Sequence, residues 1–107
     1  NTDDMREASS IPMINYLNKK NSKINYYDPS GEKVEFTNLK NVKFCKNIAS
    51  ACFNADLIIL HTEWNDFKFL NFKKLVKKKN FKIFDMRNLY SPLKMKKSNI
   101  KYFGIGR

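Results

Sequence analysis

The densest chemistry in the sequence lies in TDDMREASSIP, residues 2–12, where Asp3, Asp4, Arg6 and Glu7 fall within five positions. Ser9, Ser10 and Pro12 follow at once and mark a helix start, with a serine as N-cap and proline in the first turn. A guanidinium stays charged at any working pH, and its planar fork matches two oxygens of a phosphate or a carboxylate. Ahead of a helix it would also share the positive potential of the free N–H groups. Arg6 is therefore a candidate anion ligand. The plainer alternative is a surface pair between Arg6 and Asp3 or Asp4. Three carboxylates grouped at a phosphate would repel it, so most of Asp3, Asp4 and Glu7 should point away. Their expected work is to orient Arg6, tie the loop down or favour the helix start.

Other reactive side chains are sparse. Cys45 and Cys52 have six residues between them, which fits no zinc or redox motif. With His61 the single histidine, a metal site is not expected, and the thiols read as reduced and cytosolic. The three glycines, Gly31, Gly104 and Gly106, do not compose a Gly-rich dinucleotide loop. No residue of this chain is expected to be catalytic or to hold a cofactor.

A length of 107 residues suits one domain with one core, and a 42% hydrophobic, 14% aromatic composition can fill it. No apolar run approaches the ~20 residues that span a bilayer, and no secretory signal is visible. The formal charge of +11 raises the question of nucleic acid. However, Lys, Asn, Ile and Phe make 50 of the 107 residues, and all four have A/T-rich codons. Only Arg6, Arg87 and Arg107 are arginines, whereas phosphate- and base-reading surfaces favour Arg. The run FKKLVKKKNFK, residues 72–82, reads as a solvated helix end. Neither a nucleic-acid nor a membrane partner is expected.

The elements that must position these groups alternate. Ile11, Ile14 and Leu17 form one helical stripe after the Ser-Pro start. KINYYDPSG, residues 23–31, reads as a short strand stopping at Asp28-Pro29, with a turn through Ser30-Gly31. Residues 32–44 alternate weakly and suit an irregular excursion with a short extended piece. Residues 46–56 have helical spacing at Ile48, Ala51, Cys52 and Ala55. LIILHT, residues 57–62, is apolar on both faces and suits a strand buried in a parallel sheet. A helix is expected over roughly 66–78, with Phe67, Leu70, Leu75 and Val76 inward. KIFDMRN, 82–88, reads as a second buried strand. SPLKMKKS, 91–98, is a short helix capped by Ser91, and KYFGIGR, 101–107, a last strand. This pattern predicts an α/β domain with a mainly parallel sheet between helical layers. Ligands of such sheets sit beyond the strand C-termini. The polar groups there are Asp28, then His61, Thr62 and Glu63, then Asp85, Arg87 and Asn88. A strand before the first helix is missing and is expected upstream of residue 1.

NTDDMREASSIPMINYL, YDP, ADLIILHTEWNDF, FDMRNLY and YFGIGR, in this order, resemble the C-terminal UDP-binding domain of the UDP-glucose/GDP-mannose dehydrogenase family. The resemblance covers residues 1–107 as a single domain. It implies a Rossmann-like, three-layer fold within a cytoplasmic enzyme that oxidises the C6 alcohol of a nucleotide sugar with NAD. The cofactor and the catalytic cysteine would belong to parts of the enzyme outside this chain, so the chain alone should be inactive. Its implied partners are the UDP part of the substrate, over which it would close, the rest of the same polypeptide and a second subunit. Arg6 matches the arginine of the family's TDD-x-R-E motif, implying substrate contact. Glu63-Trp64 matches TEW, implying that Glu63 ties a loop. Asp85, Arg87 and Asn88 match D-G-R-N, with Met86 where the family has glycine. Arg87 would reach phosphate or make a structural salt bridge, and a need for positive φ at Met86 would disturb the local geometry. The alternatives are a free-standing nucleotide-binding or regulatory module and a basic nucleic-acid-binding domain.

Overall fold

The computed structural model describes residues 16–20, 22–61 and 69–106. Helix alternates with strand, and every strand pairing is parallel, as an α/β domain requires. Two compact units divide the chain, Asn1–Ala51 and Cys52–Arg107.

In the first unit, residues 16–19 are helical. Strands β1 (Ile24–Tyr26) and β2 (Val42–Phe44) pair in parallel, with Ile24 beside Val42 and Tyr26 beside Phe44. The excursion between them contains a 3-10 turn at Val34–Phe36, and β2 is the extended piece the weak alternation suggested. Aromatic packing holds this small unit. The Tyr26 ring meets Phe36 edge-on and Phe44 at a tilt, both at 5.4 Å. Its hydroxyl accepts the Lys33 N–H at 3.0 Å. Beyond β1, buried Asp28 accepts from both the backbone N–H and the hydroxyl of Ser30, fixing the Pro29-Ser30 turn.

Helix α1 (Ile48–Cys52) is shorter than its apolar spacing suggested. The Asn47 side chain caps its first turn through Ser50 N–H. Asn54, in the left-handed region, breaks the chain away two residues past its end.

The second unit contains a three-stranded sheet in the order β3 (Leu57–Leu60), β4 (Lys82–Asp85), β5 (Lys101–Gly104). Leu57, Lys82 and Lys101 are level at one end, and Leu60, Asp85 and Gly104 at the other. Helix α2 (Phe72–Val76) is capped by the Asn71 side chain and ends where Lys77 turns left-handed. Helix α3 (Pro92–Lys97) starts as its sequence indicated, with Ser91 as N-cap and Pro92 at the first position.

Two expectations are corrected here. The helix expected over 66–78 does not include Phe69 or Leu70, which precede the Asn71 cap. Its principal inward residue is Phe72, 2% exposed, beside Val76 at 0%, whereas Leu70 and Leu75 are only half-buried. Phe67 lies outside the described residues. The strands also do not bury both faces. Ile58, Leu60, Ile83 and Asp85 point into the core, while Leu57, Phe84 and Phe103 on the other face keep substantial exposure. Parallel strands bury both faces only where helices cover both.

Phe72→Ala should therefore lower unfolding free energy by about 3–5 kcal/mol, the range for emptying a buried aromatic site. Phe69 is 91% exposed, and Phe69→Ala should stay within about 0.5 kcal/mol of the parent. Urea unfolding followed by circular dichroism separates the two.

Candidate anion site at the strand ends

At the C-terminal edge of the three-stranded sheet the described residues are those that leave each strand. After β3 comes half-buried His61. Thr62, Glu63 and Trp64 lie outside the described residues, as do Asp3, Asp4, Arg6 and Glu7. The described part of the candidate site is therefore the loop after β4, residues 86–90, together with the chain leaving β5.

Asp85 organises this edge. It is the last residue of β4, is 0% exposed and is among the largest fully buried side chains. Its carboxylate accepts three hydrogen bonds. Oδ1 takes the Arg87 N–H at 3.0 Å; Oδ2 takes the Tyr90 N–H at 3.0 Å and the Tyr102 hydroxyl at 2.6 Å. The Tyr102 hydroxyl also lies 3.0 Å from the Tyr90 carbonyl. One carboxylate thus anchors both ends of the 86–90 loop and ties it to β5. A buried carboxylate is tolerable only with such satisfaction.

Within the loop, Met86 donates its N–H to the Leu60 carbonyl at 3.0 Å, so β3 still supports the chain one residue beyond β4. Met86 is not among the positive-φ residues; the left-handed position is Asn88, φ 54°. Met86, where the resemblance implies a glycine, therefore carries no left-handed strain. The Asn88 carboxamide reaches across to Ile105, accepting its N–H at 2.9 Å and donating to its carbonyl at 3.1 Å. Arg87 is exposed on this loop, between the residue that holds its N–H and the residue bonded to β5's exit.

Tyr90 closes the loop against the core. Its ring packs edge-on to Phe72 at 5.5 Å, and its hydroxyl accepts the Leu70 N–H at 3.4 Å. Burial pushes the Tyr90 phenol above the ordinary 10.0, and the nearby Asp85 carboxylate pushes the same way, against the lowering effect of the Leu70 bond.

Sequence reading brought Asp85, Arg87 and Asn88 together on one loop but gave Tyr90 and Tyr102 no part in it. Their signal lay in type and place, since a tyrosine near a buried strand end needs a partner for its hydroxyl. Asp28 belongs to the first unit, where it accepts hydrogen bonds from Ser30 in its own turn and lies 3.7 Å from the Lys33 ammonium. Cys45 and Cys52 are buried, and neither is in a disulfide. Among the described residues no group of three or more His, Cys, Asp or Glu could hold a metal ion, and no helix is long and apolar enough to cross a membrane.

Residues 1–92 match the model of the UDP-glucose/GDP-mannose dehydrogenase family, UDP binding domain. The chain belongs to that family. Curated relatives agree along almost the whole chain. A UDP-glucose 6-dehydrogenase of Rickettsia felis is 33% identical over 108 residues, covering 98% of this chain. One from Rhizobium meliloti is 31% identical over 110 residues, covering all of it. Another from Bacillus subtilis is 30% identical over 111 residues, again covering all of it. The chain spans about a quarter of the length of these relatives (24% and 25%). The loop described above is thus part of this family's UDP binding domain.

Two measurements test the Asp85 arrangement. Asp85→Asn puts an amide N–H₂ against at least one of the three donors and should destabilise the chain by about 1–3 kcal/mol. Asp85→Ala strands the Arg87 and Tyr90 N–H groups and leaves the Tyr102 hydroxyl only the Tyr90 carbonyl, and should cost more, on the order of 3–5 kcal/mol. The raised phenol makes a second expectation. The unfolded chain loses the tyrosine proton first, so this stability is complete below about pH 10 and falls as pH rises through the higher folded value. Tyr26 is also shifted upward by burial. Tyr90→Phe should therefore flatten the alkaline fall in part, as read by denaturant midpoints across that range.

Proposed function

We propose that this chain is the C-terminal, nucleotide-binding domain of an NAD-dependent UDP-sugar 6-dehydrogenase, closing over the UDP part of the substrate. The observation that carries the reading is the coincidence of two facts. The family match over residues 1–92 is to a UDP binding domain, and Arg87 is presented at the C-terminal edge of a parallel sheet on a backbone held from both sides. That edge is where open α/β sheets take ligands, and an exposed guanidinium suits diphosphate oxygens. Arg6 is a further candidate phosphate ligand in this reading, with Asp3, Asp4 and Glu7 orienting it or tying down its own loop, and Glu63 tying down the loop in which it lies.

The activity proposed for the whole enzyme is oxidation of a UDP-glucose-type substrate at its C6 alcohol. NAD would accept the electrons, bound outside this chain. Among the described residues Gly31 does not fit a dinucleotide loop: it lies in the turn after β1, followed by a 3-10 turn rather than a phosphate-facing helix. Binding and orienting the nucleotide are the tasks left to this chain, alongside the rest of the polypeptide and a second subunit in the cytoplasm.

Calorimetric titration of the chain with UDP and with uridine tests this. UDP should bind more tightly than uridine. Arg87→Ala should weaken UDP by about tenfold or more, the effect of one charge-assisted hydrogen bond, and Arg6→Ala should weaken it similarly. The chain mixed with UDP-glucose and NAD should give no rise in NADH absorbance. Equal affinity for UDP and uridine, or unchanged UDP binding in both variants, would overturn the reading. DNA affinity falling steeply with salt would support the nucleic-acid alternative.

A further inference from the structure

The pairing of β4 with β5 ends at Asp85 and Gly104. One residue further along β5's exit, Ile105 should lose its neighbour, because the chain after β4 turns away. Instead the Asn88 carboxamide replaces the missing backbone. It accepts the Ile105 N–H at 2.9 Å and donates to the Ile105 carbonyl at 3.1 Å, the two bonds that a parallel neighbour would supply from two residues of its backbone. Only an amide of this length can do both; aspartate lacks the donor and serine the reach. Asn88 sits in the left-handed region at φ 54° to make the contact, a conformation asparagine tolerates better than most residues. It is also exposed, so core packing does not explain its placement.

We propose that Asn88 is a positioning residue, acting through Arg87 on the diphosphate of the ligand. The inference rests on the nucleotide-binding reading above. Arg87 has its own N–H held by Asp85 at 3.0 Å, and the next residue is clasped to Ile105. Its Cα–Cβ direction is therefore set from both sides before any ligand arrives. Without the clasp, the loop would have to be ordered on binding, and affinity for the group Arg87 touches would fall by that ordering cost. Affinity for the base and ribose would not change.

A double-mutant cycle of Arg87→Ala and Asn88→Ala, titrated with UDP and uridine, decides it. Asn88→Ala should weaken UDP by about three- to tenfold, leave uridine within about twofold, and add less than about twofold on top of Arg87→Ala. Asn88→Gly, which adopts φ 54° freely but has no carboxamide, should behave like Asn88→Ala. Additive losses, equal losses for UDP and uridine, or an Asn88→Gly chain that binds like the parent would each overturn the proposal while leaving the UDP-binding reading intact. Unchanged UDP affinity in Arg87→Ala would overturn the proposal, and if Arg6→Ala were unchanged as well the UDP-binding reading would fall with it. Amide hydrogen exchange tests the clasp itself. The Ile105 N–H should be protected in the unmutated chain and exchange at least about tenfold faster in Asn88→Ala. A fast-exchanging Ile105 in the unmutated chain would also overturn the proposal.

Discussion

The second unit depends on one carboxylate placed where water does not reach. Asp85 is fully buried at the end of the central strand. Bringing a carboxylate there is costly unless its lone pairs are filled. Two backbone N–H groups and one phenol fill them. Those donors come from the loop after β4 and from the neighbouring strand, so satisfying the charge and shaping the loop are a single event. Helix α3 starts at Pro92, two residues past the last anchor, with Ser91 as its cap. The entry of that helix is thus set by the same network. The phenol of Tyr102 extends it to β5, and the ring of Tyr90 extends it to Phe72 in α2. All three connections meet at one side chain.

The loop held in this way has the backbone N–H groups of Met86, Arg87 and Tyr90 bonded and one residue in an unusual conformation. Left-handed backbone at a non-glycine residue costs of order 1–3 kcal/mol and persists where the surroundings over-determine it. Here the over-determination is visible. Met86 is bonded to β3, Arg87 and Tyr90 to Asp85, and Asn88 to Ile105. Of residues 86–90, Arg87 and Asn88 are exposed, and Asn88 spends its carboxamide on the loop's own geometry. The arginine is the side chain this construction presents.

Much of this was legible in the sequence, and the illegible parts have physical reasons. The Ser91-Pro92 start and the alternation of strands with helices are local chemistry and appear as read, while β1 ends at Tyr26, two residues short of Asp28-Pro29. The start of α2 was misplaced because Phe67, Leu70 and Phe72 all fit some helical stripe, and only the Asn71 cap selects among them. Two-sided burial of LIIL and KIF followed from hydrophobicity, but which face is covered depends on packing that periodicity does not record. At the site, Asp85, Arg87 and Asn88 stood out by type. Their division of labour did not, because it rests on Tyr102 and Ile105, which are 17 residues from Asp85 and Asn88 in sequence. Parallel pairing makes them neighbours, and the β4–β5 register has to be known before that can be seen.

The net charge of +11 is best understood against the same topology. In a parallel sheet flanked by crossover helices, helix C-termini and strand N-termini share one edge. Lys77 ends α2, Lys82 opens β4 and Lys101 opens β5, so these lysines lie at the edge opposite Arg87. From Lys82 to Asp85 the strand rises about 10 Å at ~3.3 Å per residue, more than the ~8 Å screening length at physiological salt. Most of the field from the lysine edge is therefore lost before it reaches the loop after β4. Lysines beside helix C-termini are stabilised locally by the helix dipole, and Lys78 is paired with Asp56. The abundance of lysine and the exposed arginine thus answer to different parts of the molecule, and ligand attraction at the strand ends has to come from groups placed there.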